Sequence, residues 1–423
     1  MLLKNSVTIV LMTSVVTLSF NLANAQIPDG PDANIAGIPV NYTEAKVGTL
    51  NLPDVLKTFD GQPVTDAKTW NEKRRPELLK YIETEYYGRI PETAPKVTWE
   101  VVSTDPNALE GKAIMKVLAG YMGSPDGPAI DVTLYTPSDT KEPVPVLTNL
   151  SFSFGGGMRS RGGAMRGTGS TPVRPGTPAH LISRGYGHAT INYSSIETDR
   201  ECQLNVNIAR KLALAPGQET PAPDEWGTIA AWAWGISRLM DYYETDPLVD
   251  AKRIAITGTS RLGKTVTWAG ANDQRIALVI ACCGGEGGAA LARRNYGETI
   301  AHLVAPSRYP YQFAGNYQKY AEDPSTSEVD THCLVALMAP RPILLSTGVS
   351  DGWSDPYGEF LAAVAATPAF KLLNKQGIDS DKYSNVGEMV GHELSFLMTN
   401  GGHGSTDWDL WLKFMDTYLK PGK

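Results

Sequence analysis

The spacing of apolar residues changes character along this chain of 423 residues. Residues 26–65 hold no sustained period and are rich in Pro, Gly and Asn, so they read as an extended arm. From Trp70 to Gly88, Leu78, Leu79, Ile82 and Tyr86 recur at helical spacing and predict a helix. Three strand-like runs follow, Val97–Ser103, Lys112–Ala119 and Ala129–Thr136. A fourth, Val144–Phe154, ends in three consecutive glycines, Gly155 to Gly157. Strands and helices then alternate. Gly187–Tyr193 predicts a strand and Trp226–Tyr243 an apolar, aromatic-rich helix. Arg253–Thr259 predicts a strand, Leu262–Ala271 a helix, and Ile276–Cys282 a strand leading into a glycine-rich loop. Arg341–Thr347 is a strand followed by a helix over Pro356–Ala366, and Glu393–Thr399 a strand followed by the closing helix Thr406–Leu419. An antiparallel opening followed by strand–helix alternation predicts a mostly parallel sheet covered on both faces. Residues 155–176, crowded with Gly, Arg and Pro, form a long loop without a period, a length that in compact domains marks functional segments. No internal repeat is visible.

One junction in this pattern carries chemistry. The β-branched run Ile254 to Thr257 meets Ser260 between glycines, and a helix follows at once. Strand, tight turn and helix form the layout of a nucleophile elbow, which lifts a serine hydroxyl above the carboxyl edge of a sheet. The usual spacing is Gly-x-Ser-x-Gly. Here Gly258 and Ser260 fit, but the second glycine, Gly263, is one place late. Arg261 therefore follows the serine directly, and Lys264 lies one helical turn on. The plain alternative is that Ser260 caps an ordinary helix, since serine is a preferred N-cap residue.

A nucleophilic serine needs a base, and the base needs an orienting acid. In this architecture the chain order is serine, acid, histidine. The histidines after Ser260 are His302, His332, His392 and His403. His403 follows the last predicted strand in Gly401-Gly402-His403-Gly404, at a strand end of the kind where catalytic groups gather. His302 falls on a predicted helix, His332 before an apolar strand region and His392 at a strand start. Two acids compete. Asp351 directly follows the strand 341–347, and Glu286 sits in the glycine-rich loop after the preceding strand. Asp351 is the expected partner, with Glu286 a secondary acid or a solvated loop residue. The backbone N–H of Arg261 is placed to meet a developing oxyanion, and its guanidinium adds positive charge. Its plain alternative is a salt bridge on the helix surface.

Composition narrows the setting. Met1 to Ala25 reads as a secretory signal, with Lys4, an apolar run from Val7 to Phe20, and Ala23-Asn24-Ala25 before the cut. That run is too short to span a membrane. Residues 26–423 then form a single catalytic domain with an N-terminal extension, periplasmic or secreted, and expected to be a monomer. A net charge of −7 argues against nucleic acid or an anionic membrane as partner. Nine Trp and 18 Tyr suit carbohydrate contact, although most such rings belong to cores. Four cysteines, Cys202, Cys282, Cys283 and Cys333, allow one or two bridges but show no metal-ligand spacing. Neither a metal nor a cofactor is expected.

The run from Gly258 to Lys264 resembles the Gly-Cys-Ser-Arg-x-Gly-Lys signature of the glucuronoyl esterases, carbohydrate esterase family 15. The likeness extends to Trp70–Tyr87 with Arg74-Arg75-Pro76, to Gly287–Glu298, His332–Pro342 and Asp351–Pro356, and to Gly401-Gly402-His403. It covers nearly the whole chain after the signal. The resemblance implies an α/β-hydrolase, a three-layer αβα sandwich with a mostly parallel sheet. It implies cleavage of esters between 4-O-methyl-glucuronic acid on xylan and lignin alcohols. It further implies Ser260 as nucleophile, His403 as base, Arg261 as oxyanion donor, and Lys264, Glu298 and Trp353 as contacts for the uronic acid. Two departures stand out. Cys283 occupies the place where many members carry the acid glutamate, which turns the acid role to Asp351, as in a bacterial subset. Thr259 replaces the usual cysteine and excludes a disulfide there. A broader carbohydrate esterase, such as a deacetylase, and a weakly catalytic carbohydrate-binding protein are the alternatives on this fold.

Overall fold

The predicted strands come together in one sheet in a computed structural model that describes residues 29–152, 173–199, 207–379 and 382–420. Within the arm a short hairpin forms from β1 (Ala33–Ile35) and β2 (Ile38–Val40), which the sequence pattern does not announce. The main sheet contains, in chain order, β3 (Val97–Ala108), β4 (Ala113–Met122), β5 (Ala129–Pro137), β6 (Val144–Ser151) and β7 (Gly187–Asn192). It continues with β8 (Val249–Thr259), β9 (Leu278–Cys282), β10 (Ile343–Gly348), β11 (Met389–Gly391) and β12 (Leu394–Thr399). Across the sheet the order is β11-β12-β10-β9-β8-β6-β7-β5-β4-β3. Neighbours from β12 to β7 run parallel, while β11 at one edge and β5, β4 and β3 at the other are antiparallel.

The central strands are apolar on both sides because helices cover both faces. Four long helices matter here: α1 (Thr228–Tyr243), α2 (Arg261–Asn272), α3 (Pro356–Leu372) and α4 (Trp408–Leu419). Alternate residues of each strand serve opposite layers. Ile254, Ile256, Val279, Ile343 and Leu345 pack with Trp232 of α1, Trp268 of α2 and Phe360 of α3. Ala255, Leu278, Ile280 and Leu344 pack with Trp411, Leu412 and Met415 of α4. The result is the expected three-layer αβα sandwich of an α/β-hydrolase. The arm and the first helix join it. Residues 67–87 are helical throughout, with widened π turns at Trp70–Arg74 and Glu83–Tyr87. The first widened turn precedes Pro76, which cannot donate a helical hydrogen bond, and makes room for its ring. Trp70, Leu78, Ile82 and Tyr87 are buried in the same core as α1–α3.

Several boundaries differ from the sequence reading. β8 starts at Val249, and α3 continues through Pro368 to Leu372. β3 extends to Ala108 along an exposed edge, where polar residues hide the strand period. His332 lies on a helix, Thr331–Ala336, not ahead of a strand. Cys282, Cys283 and Cys333 are buried free thiols, so among the described residues no disulfide forms. The signal segment 1–25, Cys202 and most of the loop 155–176 lie outside the described residues. Among the described residues no helix is long and apolar enough to cross a membrane.

Two features of topology position the site. The chain order reverses between β6 and β8, the kind of switch point beside which α/β sheets bind ligands. The carboxyl ends of β8, β9, β10 and β12 also lie side by side. They deliver Ser260, Cys283, Asp351 and His403 to one edge of the sheet.

Candidate active site

Ser260 joins β8 to α2 with φ 62° and ψ −127°, a conformation that costs a non-glycine residue on the order of 1–3 kcal/mol. Hydrogen bonds on both sides hold it there. Its N–H donates to the Cys282 carbonyl at 2.9 Å, and its own carbonyl accepts from the Lys264 N–H at 3.0 Å. The Ser260 side chain makes no capping hydrogen bond, so the turn is a strained elbow rather than an ordinary helix cap. Gly258 and Gly263 permit it by closeness. A Cβ on Gly258 would lie 2.5 Å from the Leu262 carbonyl oxygen, and one on Gly263 would lie 2.6 Å from that of Cys282. The late glycine therefore lets α2 rest against the end of β9.

Asp351 and His403 meet because β10 and β12 are parallel neighbours, with Gly348 opposite Thr399. The Ser350 N–H donates to the Gly401 carbonyl at 2.9 Å and ties the two loops together. His403 Nδ1 lies 2.7 Å from Asp351 Oδ2. Asp351 is 4% exposed, and Ser354 braces the pair, its N–H on Asp351 Oδ1 and its Oγ 3.3 Å from His403 Nδ1. The Asp351 hydrogen bond holds the His403 imidazole above its ordinary pKa of 6.5 despite partial burial. Burial works against the Asp351 carboxylate, but the His403 hydrogen bond and charge keep it below its usual range. Two other histidines after Ser260, His302 and His332, are packed into the structure. His302 Nε2 faces the Ile38 carbonyl, and His332 Nε2 lies 2.8 Å from that of Pro53.

Beside this pair lies a buried set of charges. Lys264 Nζ donates to the Gly284 carbonyl at 2.9 Å and lies 3.4 Å from Glu298 Oε2. Arg308 donates to the other Glu298 oxygen at 2.8 Å, and its guanidinium lies over the Trp353 ring. The Glu298 N–H bonds the Trp353 carbonyl, which fixes these two loops to each other. The Arg261 guanidinium pairs with Asp199 at 2.5 Å and stacks on Tyr309, while Tyr311 and Gln312 also donate to Asp199. A cavity of about 280 Å³ is lined by Ser260, Arg261, Lys264, Glu298, Trp353, Asp351 and His403, together with Cys283, Leu303, Arg308, Tyr309, Gln312 and Ser354. A larger hollow of about 680 Å³, bordered by Val364, Thr367, Lys371 and Asp379, contains none of these groups.

The structure thus gathers Ser260, Arg261, Lys264, Glu298, Asp351, Trp353 and His403 in one cavity and leaves Glu286 out. Glu286 is buried behind it, accepts from Tyr317 OH at 3.0 Å, and has its carboxyl pushed up by burial. It is neither a solvated loop residue nor a partner of His403. Arg308, Asp199 and Tyr309 are absent from the sequence reading. They come from loops without a period, and only their folding against Glu298 and Arg261 reveals them.

Comparison with known proteins finds relatives over nearly the whole chain. A sequence model of fungal glucuronyl esterases matches residues 221–374. A curated relative, the carbohydrate esterase MZ0003 from an unknown prokaryotic organism, is 36% identical, over 93% of this chain and 95% of its own. Among solved structures, a glucuronoyl esterase from Solibacter usitatus is 39% identical with a TM-score of 0.79, covering 89% of this chain and 100% of that one. A CE15 esterase described as promiscuous, from a marine bacterial metagenome, is 35% identical with a TM-score of 0.79, covering 90% and 100%.

Proposed function

Because the chain belongs to the glucuronoyl esterases of carbohydrate esterase family 15, which are carboxylic ester hydrolases, we propose that it hydrolyses esters of (4-O-methyl-)glucuronic acid, as in lignin–glucuronoxylan linkages, through Ser260, His403 and Asp351. The observation that carries this reading is the shared cavity: a strained serine and a histidine–aspartate pair open onto the same space as Lys264, Glu298 and Arg308.

In this mechanism Asp351 fixes the proton on His403 Nδ1, which leaves Nε2 free to accept the proton of Ser260 Oγ. The hydroxyl attacks the ester carbonyl carbon. The tetrahedral oxyanion forms at the start of α2, where the Arg261 N–H meets it. The Arg261 guanidinium, held by Asp199, adds fixed positive charge nearby. Collapse expels the alcohol, which takes the proton from His403, and water repeats the sequence on the acyl-enzyme. Lys264 and Glu298 offer a donor and an acceptor for sugar hydroxyls, and Trp353 a ring face. A signal over residues 1–25 would place this reaction in the periplasm or outside the cell.

Benzyl glucuronate and an aryl acetate, assayed side by side, test the reading. Wild type should turn over the glucuronate, and Ser260→Ala should lose about 10⁴-fold or more in kcat. Lys264→Ala should lose the glucuronate preference while keeping acetate turnover. Acetate turnover alone would reject the uronate substrate in favour of a broader esterase, and turnover indifferent to Ser260→Ala would reject the triad.

A further inference from the structure

Cys283 is the group at the site that the hydrolytic mechanism leaves unused. It stands at the end of β9 with φ 48°, a left-handed conformation that turns its side chain out of the strand pattern. Its sulfur accepts from the Gly404 N–H at 3.2 Å and the Thr347 hydroxyl at 3.8 Å, and lies 3.7 Å from Cys282 Sγ. One ligating atom each from Cys283, Asp351 and His403 all fall within 4.8 Å of one another. All three residues line the cavity beside Ser260, so a small ion reaches them from solvent.

We propose that Cys283, Asp351 and His403 form a binding site for a soft divalent cation, such as Zn²⁺ or Cd²⁺, whose occupation switches hydrolysis off. The three donors are a sulfur, a carboxylate oxygen and an imidazole nitrogen, each a normal zinc ligand at about 2.0–2.3 Å, and the cavity supplies the open fourth position. Tetrahedral ligands at those lengths stand about 3.3–3.8 Å apart. Occupation therefore draws the sulfur inward and opens the 2.7 Å Asp351–His403 contact, with the ion replacing the proton between them. A thiolate selects zinc or cadmium over Mg²⁺ and Ca²⁺, which take oxygen ligands. The inhibition follows from the imidazole. A cation on Nδ1 moves the single proton of the neutral imidazole to Nε2, while the Cys283 thiol proton leaves to solvent, and Nε2 then has no lone pair for the proton of Ser260.

The inference concerns binding first, and only its inhibitory arm rests on the proposed esterase activity. Ser260→Ala keeps all three ligands and gives a protein in which binding is read without turnover. Titrated with Cd²⁺, it should develop the ultraviolet charge-transfer band of a cadmium thiolate at one ion per chain. The band should vanish in Ser260→Ala/Cys283→Ser and in Ser260→Ala/Cys283→Ala, with folding of each checked by circular dichroism. In the active protein, Zn²⁺ should inhibit reversibly, with full recovery on adding a chelator, whereas Mg²⁺ at the same concentration should not. Cys283→Ser should raise the inhibiting zinc concentration about tenfold or more, measured against that variant's own zinc-free rate. No band in the Ser260→Ala protein, a band surviving loss of Cys283, or equal inhibition of wild type and Cys283→Ser would each overturn the site. Should no glucuronate turnover be found at all, the cadmium band still decides the binding claim.

Discussion

The 2.7 Å contact between His403 Nδ1 and Asp351 Oδ2 has consequences that single substitutions read directly. Asp351→Asn keeps the shape but removes the charge and favours the wrong tautomer, so kcat should fall by about 10⁴-fold with folding intact. Glu286→Gln is the matched control. Burial already raises the Glu286 carboxyl towards its neutral form, which an amide imitates, so kcat should change by less than about tenfold. The reverse ranking would assign the acid to Glu286. The pH profile carries the same information. His403 must be neutral to act as base, and Asp351 raises its pKa above 6.5. Activity is therefore lost on the acid side, and the limb of kcat/KM should rise through a midpoint above 6.5. Asp351→Asn removes the raising partner and leaves burial, which lowers the pKa, so the midpoint should move to lower pH. A midpoint unmoved in the variant would show that His403 is not the titrating base. Ser260, His403, Asp351, Arg261 and Lys264 were legible as residues because each lies next to a strand end or in a recognisable turn. Arg308 and Asp199 were not, because their roles exist only through side chains that approach from unrelated loops.

At the scale of elements, the elbow depends on how closely α2 approaches the end of β9. A Cβ at Gly263 would meet a carbonyl oxygen, which has no rotamer to give way, so the helix or the loop must shift. Gly263→Ala should cost about 1–3 kcal/mol in denaturant unfolding and lower kcat as well, since Ser260 and Cys283 move together. An unchanged unfolding midpoint would refute the tight approach. This is also where the sequence pattern was strongest and weakest. The parallel strands and α1–α4 were visible because burial on one or both faces imposes a period. The exposed half of β3 and the hairpin β1–β2 were not, because a solvated edge or a strand of three residues imposes almost none. The π turns around Arg75–Ile82 left the apolar spacing nearly helical and so passed unseen.

In the whole molecule, the N-terminal arm is part of the scaffold behind the site. Arg294, 1% exposed at its side chain, pairs with Glu44 of the arm and with Asp355 at the start of α3. The Gly297 N–H bonds the Asn41 carbonyl, one residue before Glu298. Glu44→Ala leaves Arg294 only Asp355, and because Glu44 itself is partly exposed the cost should be about 1–2 kcal/mol rather than that of a fully buried pair. Denaturant unfolding checks this, and an unchanged stability would show that the arm contributes nothing at this contact. The sequence by itself determined the order of elements and the elbow with its late glycine, and it named Ser260, His403 and the competing acids Asp351 and Glu286 as candidates. These are written in local periodicity and in motifs within a few residues of one another. Tertiary structure alone decided which acid meets His403, that Glu286 is a core residue, and that Arg308 and Asp199 hold the charged groups of the cavity. It alone also brought Cys283 beside Asp351 and His403. Those relations depend on which strand ends are neighbours across the sheet, and neighbourhood in a parallel sheet is set by crossovers and packing rather than by distance along the chain.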